Sequence, residues 1–326
     1  MMEEIFKKTV TLTETLTQTI TEGFPFPDPT LTTTTSSGHY TTTSVAPIPT
    51  VVPGHPTFQA IDTASKRTLW VVTVLMGLSS LVFYLLSNRV QLPKRVVHYL
   101  VATSTTVSFI IYLALATGQG INWKHDTVKR SHKHVPNTDH EVVRQVLWLR
   151  YVNWFVTDPL ILTALTLLSG LPGASLFAAI AADYVTLASG LFGTYAEHTS
   201  RRWVWFAISA IGLITVIYHI GVKGTRAASN RDSHTRRLFS AVVTVALITR
   251  ALYPITLAAG ALSLKLGLSG ETILFAIHDI IFQGILGYWL VIANDAATGT
   301  NLYVDGFWSS GLGNEGAIRI SEEEGA

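Results

Sequence analysis

Seven apolar stretches of about twenty residues or more, at 68–87, 96–117, 146–170, 174–196, 203–222, 238–264 and 273–294, limit the possible folds of this chain more than any other feature. A helix rising about 1.5 Å per residue crosses a hydrocarbon core of roughly 30 Å in about twenty residues, so each stretch can span a bilayer. In lipid every backbone N–H and C=O must be satisfied internally, and apolar runs of this length satisfy them as helices. The expected fold is therefore all-α, a seven-transmembrane helix bundle over residues 67–295. A mean hydropathy of +0.37 and a charged fraction of 13% agree with a chain that has the lipid bilayer as its solvent and partner.

The flanks have a different composition. Residues 1–66, rich in Thr, Ser and Pro, hold no sustained apolar face and are expected to be a disordered tail; the acidic residues 296–326 are expected to be a second one. No apolar region follows the charges of MMEEIFKKTV, so the first span is expected to direct insertion. A formal charge of +2 with scattered basic residues leaves no nucleic-acid footprint, and zero cysteines exclude disulfides and thiolate chemistry. With no nucleotide loop, nucleophile elbow or zinc-peptidase helix, no enzyme is expected. Basic residues tie between the two sides: Arg89, Lys94, Arg95, Lys223, Arg226, Arg231, Arg236 and Arg237 against Lys124, Lys129, Arg130, Lys133, Arg144, Arg201, Arg202 and Lys265. The density of the fifth loop favours placing it in the cytoplasm, with the N-terminus outside and the C-terminus inside.

Five charged residues fall inside the spans: Arg150, Asp158, Asp183, Arg250 and Asp279. Each costs on the order of 3 kcal/mol at mid-bilayer, so each requires a partner or a purpose. Arg150, Asn153, Trp154, Thr157 and Asp158 share one face of the third helix, and Asp279 and Gln283 share one face of the seventh. Two readings stay open: polar contacts that hold helices together, or a path for a proton or ion. Two positive charges against three negative leave one carboxyl to hold a proton, and Asp158 and Asp183, on helices joined by Leu171-Pro172-Gly173, are the expected pair. His125, His132, His134 and His140 cluster in the second loop; a solvated basic loop is expected there rather than a metal site. His98 and His219 are expected at the interface.

The third-helix string LRYVNWFVTDPLILTALTLL resembles the signature Arg-Tyr-x-Asp/Glu-Trp-x-x-Thr-x-Pro-Leu of microbial rhodopsins, which lies beside their retinal. The resemblance spans roughly 68–294 and includes Tyr112, Asp183, Gly190, Trp205, Ser209, Tyr253-Pro254 and Asp279. It implies the fold of that family. It also exposes departures. Gln283 stands where the family's retinal-binding lysine follows the seventh-helix aspartate, Asn153 where a pump has its proton acceptor, Ala164 where it has its donor, and Arg250 and Leu257 where tryptophans wall the chromophore. An amide cannot form an imine, so covalent retinal, and with it any cofactor, is not expected.

The pattern is similar to the fungal opsin-related branch without the retinal lysine, which includes small heat-shock-induced plasma-membrane proteins. That resemblance implies a stress-associated or regulatory role and another plasma-membrane protein, such as a proton pump, as partner. The alternatives are a passive proton or ion conductor and a photoreceptor holding retinal without a bond. The polar core network is expected to join Arg150, Asn153, Thr157, Asp158, Asp183, Arg250, Tyr253, Asp279 and Gln283, with Arg250 pinning the sixth helix to Gln283 and Asp279 on the seventh and lying within hydrogen-bond reach of one of these or of a polar group on the third helix.

Overall fold

The computed structural model describes residues 56–130, 138–231 and 233–296. Among these described residues, seven helices are long and apolar enough to cross a membrane: α1 Thr63–Ser87, α2 Arg95–Ala116, α3 Leu149–Ser169, α4 Gly173–Tyr195, α5 Thr199–Ser229, α6 Ser233–Leu262 and α7 Leu268–Ala296. Helices α3 and α7 bury the largest share of their length and α5 the smallest, so α3 and α7 form the centre and the others present aliphatic faces outward. Lipid tails are as apolar as leucine, so close packing rather than water exclusion holds such a bundle together. One core cluster contains Phe83, Leu165, Phe239, Val242, Phe282 and Leu290; a second, at the end carrying the chain's strands, contains Leu69, Val72, Met76, Tyr112 and Leu115.

Local chemistry sets several boundaries. Asp62 caps α1 by accepting the Ser65 N–H at 2.8 Å, and its carboxyl is held below the ordinary range by Ser65 and then Ser269. Helix α3 stops at Gly170, whose φ of 74° lies in the left-handed region that glycine tolerates. Three stretches wind as π-helix: Ile217–Lys223 in α5, Ala258–Leu262 in α6 and Ile280–Ile285 in α7. The last contains Gln283.

The connections depart from the all-α expectation. The segment after α2, read as a solvated loop, forms strands β2 Asn122–Arg130 and β3 Thr138–Val146, paired antiparallel. Strand β1, Thr57–Gln59, pairs parallel to the other edge of β3, and α1 starts at Thr63, so residues 57–66 are structured where a tail was expected. The reason is burial of charge. Lys124 and Asp126 point inward between exposed Trp123, His125 and Thr127; Lys124 Nζ lies 3.0 Å from Asp126 and donates to the carbonyls of Thr194 and Ala196, while Arg202 donates to Asp126. Burial pulls the Lys124 ammonium below its usual value, and Asp126 opposes the shift.

His140 meets Thr57 at 2.6 Å, His132 and His134 lie outside the described residues, and no metal-holding cluster occurs among the described ones. His98 is fully buried in the first turn of α2, 3.5 Å from Asp295, because the start of α2 packs beneath the end of α7. The tail readings for residues 1–55 and 297–326 fall outside the described residues.

Candidate functional site

The polar side chains of the spans form a stack through the centre of the bundle. Nearest the sheet, Arg144 of β3 donates to Glu271 at 2.6 Å, and the other carboxylate oxygen of Glu271 lies 3.6 Å from Arg150. Arg150 also reaches Thr272 at 3.5 Å and sits 4.8 Å over the Phe275 ring. Glu271, which hydropathy left in a loop, is buried in the first turn of α7, and the two arginines take its charge. Gly260 on α6 lets that carboxylate approach, since a Cβ there would collide with it.

Next comes Asp279, fully buried. Its carboxylate accepts from Trp154 at 2.9 Å, from Tyr253 at 2.5 Å and from Tyr112, so three donors on three helices hold it. Charge-assisted bonds of this kind are stronger than neutral ones. Below it, Gln283 donates to Thr157 at 3.0 Å and accepts from Ser108; Thr157 donates to the Asn153 carbonyl at 2.9 Å. Ser108 also meets Asn153 Oδ1 at 2.8 Å, although one hydroxyl proton cannot serve two acceptors, and Asn153 Nδ2 has no partner. Exchanging the oxygen and nitrogen of the Asn153 amide resolves the shared proton and leaves the amide oxygen at the unpaired position: Asn153 donates to Ser108, Ser108 to Gln283, Gln283 to Thr157, and Thr157 back to the Asn153 backbone. The layer is then a closed ring of neutral groups.

Beyond the ring, Arg250 of α6 extends one guanidinium nitrogen to Asp158 on α3 and the other to Asp183 on α4, with all three side chains buried. This corrects two expectations. Arg250 pins α6 to α3 and α4 rather than to α7, because the hydrogen-bonding groups of Gln283 are already taken by α2 and α3 and two carboxylates outweigh an amide as partners for a buried cation. Asp158 and Asp183 do not face each other across a shared proton, because the guanidinium lies between them. Beside Arg250 is a cavity of about 30 Å³, room for a water molecule or two, lined mainly by Tyr151, Trp154, Leu187, Tyr253, Leu257 and Phe275. All nine residues read from the sequence as a polar core are thus in the bundle interior, but in four separate groups. Missed were Glu271, Arg144 and Ser108. Ser108 and Tyr112 are four apart on α2, a spacing that could have revealed the third contributing helix.

A bacteriorhodopsin-like protein family model matches residues 63–296. Opsin-1 of Neurospora crassa is 37% identical over 295 residues, covering 90% of this chain and 96% of that protein. The opsin-like protein carO of Fusarium fujikuroi is 26% identical over 245 residues, covering 74% of this chain and 78% of its own length. A solved light-driven proton pump from Leptosphaeria maculans superposes with a TM-score of 0.71 at 34% identity, covering 73% of this chain and 96% of the pump. These relatives overturn the expectation of a chain without cofactor: retinal is the ligand of this family, and a missing lysine removes one mode of attachment, not the ligand. The residues here nevertheless do not fit the covalent mode. Gln283 offers an amide whose nitrogen is not nucleophilic, and its hydrogen bonds are committed to Ser108 and Thr157. By the extent of these matches the chain belongs to the bacteriorhodopsin-like family of seven-helix membrane proteins.

Proposed function

We propose that this protein is an opsin-related plasma-membrane protein that does not pump, and that it acts in a stress-associated, regulatory role through contact with another membrane protein, such as a proton pump. The observation that carries the reading is the neutral ring. The hydrogen-bonded groups between Asp279 and the Asp158–Arg250–Asp183 group are Asn153, Ser108, Gln283 and Thr157, and an amide neither takes up nor releases a proton near neutral pH, while the small cavity on the Trp154 and Tyr253 side is walled mostly by apolar side chains. The same ring weighs against the passive-conductor reading. Nor does the proposal depend on an empty pocket: a retinal held by shape alone has no imine proton to move.

The N-terminus is placed outside and the C-terminus in the cytoplasm. Lys124, Arg144 and Arg202 at the sheet end are buried against acids, which leaves Lys223 to Arg237 as the densest basic stretch beside a span, at the end an anionic leaflet attracts. The test is reconstitution into liposomes with all-trans retinal added, recording pH on illumination and after an imposed pH step. Neither a light-dependent pH change nor proton flux above that of empty liposomes is expected, and either would sink the reading. For the regulatory part, proton extrusion by heat-stressed cells should differ when the gene is deleted; identical extrusion rules out the pump as partner.

A further inference from the structure

At the sheet end a cavity of about 420 Å³ opens between the start of α1 and the end of α2. Its floor is apolar, made by Ile61, Leu115 and Ile121, which pack on the cluster around Leu69 and Tyr112. Its walls are polar and of several kinds. Lys66 supplies a cation from the first turn of α1, and Gln145 supplies an amide fixed in orientation by accepting the Ile61 N–H at 2.8 Å. Opposite lies the C-terminal end of α2, Ala116 to Gly118, where a helix presents partial negative charge. Trp123 completes the wall, half exposed, with Phe58 edge-on to it at 6.3 Å.

Helices begin and end at headgroup depth, so this cavity sits at the boundary of one leaflet. One turn below Lys66, on the same face of α1, is exposed Trp70, followed along the helix by exposed Val74, Leu78, Leu81 and Leu85. An amphipathic cavity with a cation and a partial negative pole, above an aliphatic track, matches a molecule carrying both charges on a headgroup and long acyl chains below it. We infer that this cavity binds the headgroup of one zwitterionic phospholipid, its phosphate on Lys66 and Gln145 and its quaternary ammonium on Trp123 beside the end of α2. Aromatic faces attract quaternary ammonium groups, and a lysine ammonium is a point charge suited to phosphate.

The inference is tested on the full chain, delipidated in dodecyl maltoside and titrated with palmitoyl-oleoyl phosphatidylcholine or phosphatidylglycerol, counting retained lipids by native mass spectrometry. One phosphatidylcholine is expected to remain where phosphatidylglycerol is lost. Lys66→Glu and Trp123→Ala should each weaken retention about tenfold, the scale of one cation or cation–π contact. Thr117→Trp, which fills the cavity without changing charge, should do the same, and Arg67→Glu, outside the cavity, should not. Circular dichroism confirms that each variant is folded. Equal retention of the two lipids, or undiminished retention in the folded Lys66, Trp123 and Thr117 variants, overturns the assignment. Displacement of the lipid by equimolar glycerophosphocholine overturns the lipid as the source of the headgroup.

Discussion

Arg250 carries a full charge into the middle of the bundle, and its two carboxylate partners come from two other helices, so removing it leaves Asp158 and Asp183 buried and uncompensated. Breaking a buried ion pair by deleting one partner costs about 3–5 kcal/mol, whereas replacing every member with neutral groups of similar volume is often tolerated. Arg250→Met is therefore expected to lose about 3–5 kcal/mol of stability to denaturant-induced unfolding in detergent, and Arg250→Met with Asp158→Asn and Asp183→Asn to regain most of it. No recovery in the triple variant would mean that the guanidinium matters for its packing and not its charge. Gln283 makes a smaller demand. Gln283→Leu removes one hydrogen bond each from Ser108 and Thr157, which keep Asn153 as a partner, a cost of about 0.5–1.5 kcal/mol for each lost bond, readable in the same unfolding assay. The sequence placed both residues in the interior, because charge and amide inside an apolar span admit little else. It did not give their partners, because a helix face fixes direction only to within a turn, and Arg250 chose among acceptors on α3, α4 and α7 by charge.

The seven helices were legible as elements because lipid imposes a single long-wavelength signal, length and apolarity, that survives local detail. The three strands were not. In β2 the inward positions are Lys124 and Asp126, so the period-2 pattern is present but its buried phase is charged and reads as a solvated loop. Strand β1 is three residues long and gains its place from β3, a partner some eighty positions away that no local pattern announces. It is also tied to the bundle: Gln59 accepts from Arg144 at 2.6 Å, Arg144 from there reaches Glu271, and Asp62 accepts from Ser269 on α7 at 3.0 Å. Two predictions follow from these ties. Gly260→Ala should destabilise α7 against α6, because its Cβ must displace the Glu271 carboxylate, and limited proteolysis should show faster cleavage at the 263–268 turn. The Asp62 cap should depend on acidity. A carboxyl held lower in the folded state contributes its stability fully above its unfolded value of about 3.9 and loses it as pH falls through the folded value. Amide exchange at Ser65 should thus lose protection on going from pH 6 to below pH 3, beyond the intrinsic change in exchange rate, and show no such loss in Asp62→Asn, whose cap does not titrate.

For the whole molecule the open question is which face of the membrane each end meets, and the sequence alone ties at eight basic residues a side. The folded chain reduces the exposed charge at one end. At the sheet end Lys124, Arg144 and Arg202 are turned inward and matched by Asp126 and Glu271, while Arg201 and Lys265 stay exposed. At the other end Lys223, Arg226, Arg236 and Arg237 crowd one connection between α5 and α6, and Arg89 is exposed between α1 and α2. Basic residues near an anionic cytoplasmic leaflet gain about 1 kcal/mol each, an advantage open to exposed side chains and not to those spent on internal acids. The expected arrangement has the sheet outside. An epitope inserted between β2 and β3 should therefore be labelled by antibody on intact protoplasts, while one placed after Ala296 should be labelled only after permeabilisation. The charge argument makes a further demand: Arg226→Glu, Arg236→Glu and Arg237→Glu together should produce a measurable fraction of molecules with the C-terminal epitope outside. If that epitope is already accessible on intact cells in the unaltered chain, the exposed basic connection lies outside, and the charges at the sheet end set the topology despite being buried in the folded protein.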